Sequence, residues 1–330
     1  MPMQRRKKEK LAKHGGLISI ASRARVSTGT VSRALNNSEL IPSETRSRII
    51  EIARELGFRP RVKIRNKQIA LITEPPHKTI MGGYVNTLTQ YICYALSKQN
   101  AEISIITEDR IEALSNCWFD GIIGIAWEEK TVSILKKIQN IPIVWFSDNL
   151  SNFFHVVYVD AEETGKMVGK YLFEKGHRRI AVIHDPDYTG NERAKGVKKG
   201  IEEINGENNS SVFTFNNTLP LNITVKKFID DGCTAVWVTG EDMKVLEVNW
   251  IIQELAGKQI PNDISIIGFE NPGISEFQRP SLTTVATPLQ ELAEKAVEIV
   301  LNNTLKELQK IKMYPKIIER NSVKNIGGKV

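Results

Sequence analysis

Ser27, Thr28, Gly29, Thr30, Ser32 and Arg33 gather small hydrogen-bonding groups and one guanidinium into a short stretch whose apolar members, Val31 and Leu35, recur at helical spacing. The apolar pair then shares one face of a helix, and the exposed face is small, polar and rich in hydroxyls. A helix with so little bulk can enter a DNA major groove roughly 12 Å wide, where an arginine forks onto guanine and hydroxyls reach base edges or phosphates. Ser27 reads as the helix N-cap, a role compatible with a phosphate contact from the same helix end. A second group of candidates lies in the longer remainder of the chain. Asp148 and Glu270 each follow an apolar, β-branched run (143–146 and 264–269), and Trp127 closes another (121–126). Carboxylates hydrogen-bond a hydroxyl-rich ligand in pairs, and an indole ring stacks on its apolar side.

Other chemistry lacks its residues. The five histidines, His14, His77, His155, His177 and His184, form no H-x-x-x-H pair and have no cysteine at ligand spacing, so neither a metal site nor a cofactor is expected. Phosphate-loop, nucleophile-elbow and dinucleotide-binding patterns are missing; Thr164-Gly165-Lys166 lacks the preceding glycine of a phosphate loop. Asp148 and Glu270 are residue types of a glycosidase acid–base pair. A binding cleft uses the same types, and the expectation is that the protein is not an enzyme.

The elements that carry these residues fall into two styles. In the first sixty residues, Ile18, Ile20, Ala21 and Ala24 mark one helix, the stretch after Ser27 a second, and Pro42-Ser43-Glu44-Thr45 opens a third with Ile49, Ile52, Ala53 and Leu56 as its stripe and Gly57 as its stop. Three short helices with a tight break between the first two are the layout of a helix-turn-helix DNA-binding unit. From residue 68 onward, strands expected at 69–73, 102–107, 121–126 and 143–146 alternate with helices at 85–97, 110–117 and 131–139. A second set places strands at 156–159, 180–184, 212–215, 235–238 and 264–269, with helices at 162–175, 192–204, 222–231 and 242–256. This alternation is the pattern of parallel sheets. Segments 282–286, 289–303 and 311–319 are expected to pass back between two lobes and leave a hinged cleft.

Charge divides the chain at the same place. Residues 1–65 hold 16 Lys and Arg against 5 Asp and Glu, a net +11, whereas residues 66–330 hold 29 against 33, a net −4. A polycationic end on a slightly acidic body points to a polyanionic partner for the first piece alone. With 41% apolar and 25% charged residues over 330 positions, the chain can bury a core and divides into two or three domains. No apolar run approaches the roughly 18 residues of a membrane span, so no membrane partner is expected. The charged N-terminus is not followed by a secretory apolar region, and Cys93, Cys117 and Cys233 are scattered and odd in number, which suits a reducing cytoplasm.

The string Val26-Ser27-Thr28-Gly29-Thr30-Val31-Ser32-Arg33-Ala34-Leu35-Asn36, followed by Ser43-Glu44-Thr45-Arg46 and Glu55-Leu56-Gly57-Phe58-Arg59-Pro60, resembles the headpiece of the lactose/galactose repressor family. The resemblance runs on through Phe119-Asp120-Gly121, Ile141-Pro142, Val159-Asp160, Gly176-His177-Arg178-Arg179, Arg193-x-x-Gly196, Ile260-Pro261-x-Asp263, Arg279-Pro280-Ser281 and Arg320-Asn321-Ser322, nearly the whole chain. It implies that Thr28, Gly29 and Arg33 read bases and that Asn36, Thr45 and Phe58 lie where the DNA backbone is contacted. It also implies that Arg193 points its guanidinium into an effector cleft beside Trp127, Asp148 and Glu270. The implied fold is a small all-α helix-turn-helix headpiece plus an α/β periplasmic-binding-protein-like body of two doubly wound parallel-sheet lobes.

The implied domains are a basic tail (1–16), the helix-turn-helix domain (17–60), a short basic linker (61–67) and an effector-binding body (68–330). Within the body the N-lobe takes 68–155 with 288–308, and the C-lobe takes 156–285 with 311–328.

Four departures from the family pattern stand out. Arg25 occupies a turn position where glycine is usual, which costs about 1 kcal/mol or changes the turn. Glu270 stands where aspartate is usual, and Gly240-Glu241 replaces the common Asn-Asp pair. The linker has hardly room for the family's hinge helix, whose leucine wedges the minor groove. Val62 or Ile64 is a substitute wedge, but a linker that only follows the DNA backbone fits better. The expected function is a homodimeric, sequence-specific repressor of a carbohydrate-utilisation operon, set on double-stranded operator DNA by a small-molecule effector, a carbohydrate by preference, held between the lobes. The alternatives are a regulator sensing a purine or a phosphoprotein, and a solute-binding protein or sugar-processing enzyme sharing the two-lobed body.

Overall fold

The structure is a computed structural model, and it describes residues 16–58, 66–78, 83–205, 211–216, 218–240, 242–302 and 307–327. Most of the basic tail and of the linker, with Val62 and Ile64, therefore lies outside the described residues, as does Glu241.

The headpiece is three helices: α1 (Leu17–Ala24), α2 (Thr28–Leu35) and α3 (Ser43–Glu55). Helices of 8 to 13 residues are marginal by themselves. Here Ile20, Ala24, Val31, Leu35, Ile49, Ile50 and Ala53 close into one buried cluster that holds all three. The α1–α2 turn keeps the left-handed conformation at Arg25 (φ 54°, ψ 45°), so the turn is unchanged and the arginine carries the strain, about 1–2 kcal/mol. The N–H of Val26 reaches the Ala21 carbonyl (3.0 Å), and Arg25 N–H points at that of Ser22 (3.4 Å). These are the two bonds of a Schellman ending, and Val26 covers the cluster beside Ala21.

The remaining elements are β1 (Gln68–Thr73), α4 (Tyr84–Lys98), β2 (Glu102–Thr107), β3 (Gly121–Ile125), α5 (Glu129–Leu135), β4 (Ile143–Trp145), β5 (His155–Val159), α6 (Ala161–Glu174), β6 (Arg179–His184), α7 (Tyr188–Asn205), β7 (Ser211–Asn216), α8 (Leu221–Asp230), β8 (Ala235–Val238), α9 (Asp242–Trp250), β9 (Ser265–Phe269), β10 (Thr283–Ala286), α10 (Leu289–Asn302), β11 (Lys310–Met313) and β12 (Lys316–Ile318). Two six-stranded sheets result, ordered β11-β5-β4-β3-β1-β2 and β12-β10-β9-β8-β6-β7. Each contains five strands in the same order, second-first-third-fourth-fifth, and those five are parallel throughout. In the second sheet β12 joins β10 antiparallel. Alternation along the strands sends Ala181, Ile183, Val236, Val238 and Ile266 into one core and Ile180, Val182, Ala235, Trp237 and Ile267 into another, so helices cover both faces.

Three segments differ from the sequence expectation. Residues 110–117 are not an α-helix. Glu108–Asn116 is a 3₁₀ run broken at Arg110 (φ −118°), with Ser115 Oγ bonded back to the Glu112 carbonyl in competition with the helical ladder. The expected helix 242–256 gives way to a π-helical turn at Ile251–Leu255. The expected strand 311–319 is two strands, one in each sheet, separated at Tyr314-Pro315, where proline has no N–H to offer a ladder.

The chain forms two compact units. The first takes the described parts of Met1–Thr79, Leu88–Val157 and Gln290–Lys310, so that the headpiece clusters with the first sheet; the second takes Tyr158–Leu289 and the C-terminal strand, with residues 83–87.

Candidate nucleic-acid interface and effector residues

On α2 the buried residues are Val31, Ala34 and Leu35, which leaves Ser27, Thr28, Gly29, Arg33 and Asn36 exposed and Thr30 and Ser32 half-buried. Ser27 is the N-cap: its hydroxyl accepts the Thr30 N–H at 3.0 Å and pairs with the Thr30 hydroxyl at 2.8 Å. The remaining first-turn N–H groups and the positive end of the helix point toward whatever meets this face. Gly29 has ordinary helical φ, and a Cβ built there meets nothing closer than the Ser27 hydroxyl (3.7 Å) and the Arg33 guanidinium (3.8 Å). The protein's own packing therefore does not demand a glycine at this position. Thr45 is half-buried in the first turn of α3, and Phe58 turns its ring edge toward Trp118, centroids 6.3 Å apart.

Behind this face the headpiece is seated on the first α/β unit. Trp118, 3% exposed, joins the headpiece cluster. Its backbone N–H donates to Asn37 Oδ1 (2.9 Å), and Asn37 Nδ2 returns a bond to its carbonyl (3.3 Å). Arg54 donates to the carbonyls of Leu114 (3.2 Å) and Cys117 (3.3 Å), Ser47 donates to Asn116 (2.5 Å), and Asn140 Nδ2 donates to the Arg54 carbonyl (3.0 Å). Burial lowers the Arg54 guanidinium below its ordinary range.

In the first sheet the strand order reverses between β1 and β3, and ligands of such sheets bind past the carboxyl ends of the strands there. Trp127 follows β3 with half its surface open. Its N–H (3.1 Å) and that of Glu128 (2.8 Å) both donate to Glu108, whose buried carboxylate thereby fixes the loop. Burial raises the Glu108 carboxyl, opposed by those N–H bonds. Asp148 opens the short 3₁₀ turn Asp148–Leu150 after β4 and is half-buried.

In the second sheet the equivalent reversal lies between β6 and β8. Arg193, on α7, donates to the carbonyl of Thr239, the residue after β8 (2.8 Å), and lays its guanidinium over Phe269, 4.5 Å from the ring centroid. Burial pushes the Tyr84 phenol up to about 12, against the opposing pull of the Arg193 charge. Glu270 is engaged: both its oxygens accept from Arg320 (2.8 and 2.9 Å) and one also from Thr284. Burial alone raises its carboxyl, but the bonds from Arg320 and Thr284 outweigh that and hold it below the usual range. Nearby, Lys244 pairs with Asp185 at 2.6 Å.

The sequence reading named Arg193 and Glu270 but not the partners that orient them. Arg320 belongs to the Arg320-Asn321-Ser322 string, yet nothing in the order of residues says that it closes on Glu270, 50 positions away. Asn37, Arg54 and Trp118 gave no signal, because each acts across 60 or more residues of chain. Among the described residues no group of three or more His, Cys, Asp or Glu is placed to hold a metal ion, and no helix is long and apolar enough to cross a membrane.

A three-helix unit with an open, hydroxyl-rich second helix, followed by two parallel sheets of one strand order, defines a DNA-binding regulator that carries a ligand-binding body. Residues 17–61 match the model of the lacI family of bacterial regulatory proteins, and residues 170–323 match a periplasmic binding protein-like domain. The chain is 28% identical over 335 residues to the HTH-type transcriptional repressor PurR of Escherichia coli O1:K1, covering 92% of this chain and 95% of the relative. Among solved structures it is similar to a transcriptional regulator CelR–cellobiose complex (TM-score 0.65, 21% identity, 93% of this chain and 99% of the other). A lac repressor dimer bound to operator and the anti-inducer ONPF is equally similar in fold (TM-score 0.65, 18% identity, 94% and 99%).

Proposed function

We propose that the protein is a homodimeric transcriptional repressor that reads operator DNA with Thr28, Gly29 and Arg33, steadied on the backbone by Ser27, Thr30, Ser32, Asn36, Thr45 and Phe58. One observation carries this reading: the α2 face is open and small, and at Gly29 it is smaller than the fold requires. Dimerisation follows from size, since one short headpiece buries too little surface for tight binding and a two-fold pair reads a near-palindrome. The body binds a small-molecule effector through Arg193, Glu270, Asp148 and Trp127, changes operator affinity without catalysing a reaction, and works in the cytoplasm on the nucleoid. A carbohydrate suits these paired hydrogen-bonding groups, and CelR supports it as a relative of the same fold in complex with cellobiose. The similarity to PurR over 92% of the chain favours a purine as the second reading.

The test is binding to duplexes selected from random sequence. Arg33→Ala is expected to weaken the preferred site by about 1–3 kcal/mol, the value of one bidentate base contact, and to leave the salt slope of non-specific binding in place. A native protein that binds all duplexes alike sinks the reading. Thermal shifts against sugars and nucleobases then decide the effector, because a ligand selective for the folded state stabilises it by RT ln(1 + [L]/Kd).

A further inference from the structure

Seven residues, 61–67, are all that separate the headpiece region from the body, and they leave hardly any length for an orienting helix. The structure supplies a different joint. Trp118 is 3% exposed beneath the headpiece, and the Asn37 carboxamide meets its backbone N–H and carbonyl in a reciprocal pair. Arg54 reaches two carbonyls of the same segment, and Asn140 donates to the Arg54 carbonyl at the end of α3. The joint uses α3 and Asn37, two residues past the end of α2, while Ser27, Thr28, Gly29 and Arg33 stay exposed with the body in place. Asn37 itself sits at φ 54°, a conformation asparagine tolerates better than most residues, which aims its amide outward from the end of α2. A docked headpiece whose reading helix is open can bind DNA without undocking.

We propose that Asn37, Arg54 and Trp118 are positioning residues for operator recognition: they fix the headpiece rigidly on its own body, so that the body, and not the linker, sets the distance and angle between the two headpieces of a dimer. The inference rests on the DNA-binding reading above. Such a joint converts any rearrangement of the body directly into a change of half-site spacing.

The test has two arms, both on the full chain. In the first, ¹⁵N relaxation compares headpiece and body amides in the native protein and in Asn37→Gly/Arg54→Ala. The glycine preserves the positive φ, and neither position lies in the headpiece core or on its reading face. The native headpiece is expected to tumble with the body and the variant headpiece to tumble faster. Trp118→Ala is added if the double variant stays docked. In the second arm, a two-half-site duplex selected by the native protein is lengthened or shortened at its centre in single base-pair steps. The native protein is expected to lose about tenfold or more for a mis-spaced site, on the scale of a lost base contact, and the undocked variant to flatten that profile while keeping its salt slope and its dependence on Arg33.

A native headpiece that tumbles independently overturns the inference, as does an undocked variant with the native spacing profile. A native protein without sequence preference sinks the functional reading and the inference together, whereas an unchanged profile sinks the inference alone.

Discussion

Gly29 is costly to the fold, and the proposed reading of DNA gives that cost a use at the interface. Glycine inside a helix is less stable than alanine by about 0.5–1 kcal/mol, and a methyl group at this position has room on the protein side. Gly29→Ala is therefore expected to raise stability to chemical denaturation by up to about 0.5–1 kcal/mol and at the same time to weaken operator binding, because the methyl projects from the exposed face. Equal operator affinity in the two proteins would remove Gly29 from the reading face. Arg25 is the converse case. Its left-handed turn is set by the packing of α1 on α2, and the chain tolerates the strain of a side chain there. Helix α2 and its cap were legible because their chemistry is local: cap, apolar pair and guanidinium fall within ten residues. The engagement of Glu270 by Arg320 was not legible, since the two meet only when β9, β10 and the C-terminal strand are assembled.

At the level of elements, α6 and α7 illustrate how packing places a side chain, here Arg193. The two helices approach so closely that a Cβ at Gly165 would lie 2.1 Å from the Arg193 carbonyl oxygen, and one at Gly196 would lie 2.1 Å from that of Glu162. Gly169 and Gly200 repeat the pattern one turn on, each 2.3 Å from the opposite backbone. Lysines and glutamates line the seam, Lys199 with Glu162 at 2.7 Å and Lys170 with Glu203 at 2.6 Å, but exposed pairs of this kind contribute little. Contact between backbones sets the position of α7 and hence of Arg193. Gly165→Ala is expected to push α7 away at a cost of about 1–3 kcal/mol, read as a lower urea midpoint, and to weaken the thermal shift given by the effector. An unchanged midpoint would mean that the seam yields freely. The sequence placed both helices to within a few residues; it did not show that their glycines face each other, because helical periodicity describes one element at a time.

At the scale of the assembled chain, His177 ties the residue before β8 to the segment that follows β12. It is 1% exposed, with Nδ1 2.9 Å from the Thr234 hydroxyl and Nε2 3.1 Å from the Lys324 carbonyl. Burial lowers its pKa from 6.5 to about 4, with the Lys324 carbonyl opposing and the Arg178 charge adding to the fall. The folded protein therefore binds this proton less readily than the unfolded chain. Its contribution to stability is complete above pH 6.5 and is lost as the pH falls from about 6.5 toward 4, by at most about 3 kcal/mol over that window. His155, also lowered by burial, acts in the same direction. Urea midpoints measured from pH 7 to pH 4.5 are expected to fall in the native protein, and His177→Gln is expected to flatten the curve. Parallel curves would assign the acid sensitivity to the carboxylates instead.

By itself the sequence determined the two-part plan, the order of nearly every strand and helix, and the open, hydroxyl-rich face of α2, because each depends on periodicity, capping and charge within a few turns of chain. Tertiary structure alone decided what those parts are attached to: the seat of the headpiece on Trp118, the capture of Glu270 by Arg320 and the stacking of Arg193 on Phe269. Those contacts join residues 50 to 81 positions apart, which meet only once the sheets are assembled. No local pattern encodes them, since the partner of a buried polar group is fixed by the three-dimensional neighbourhood that must satisfy it.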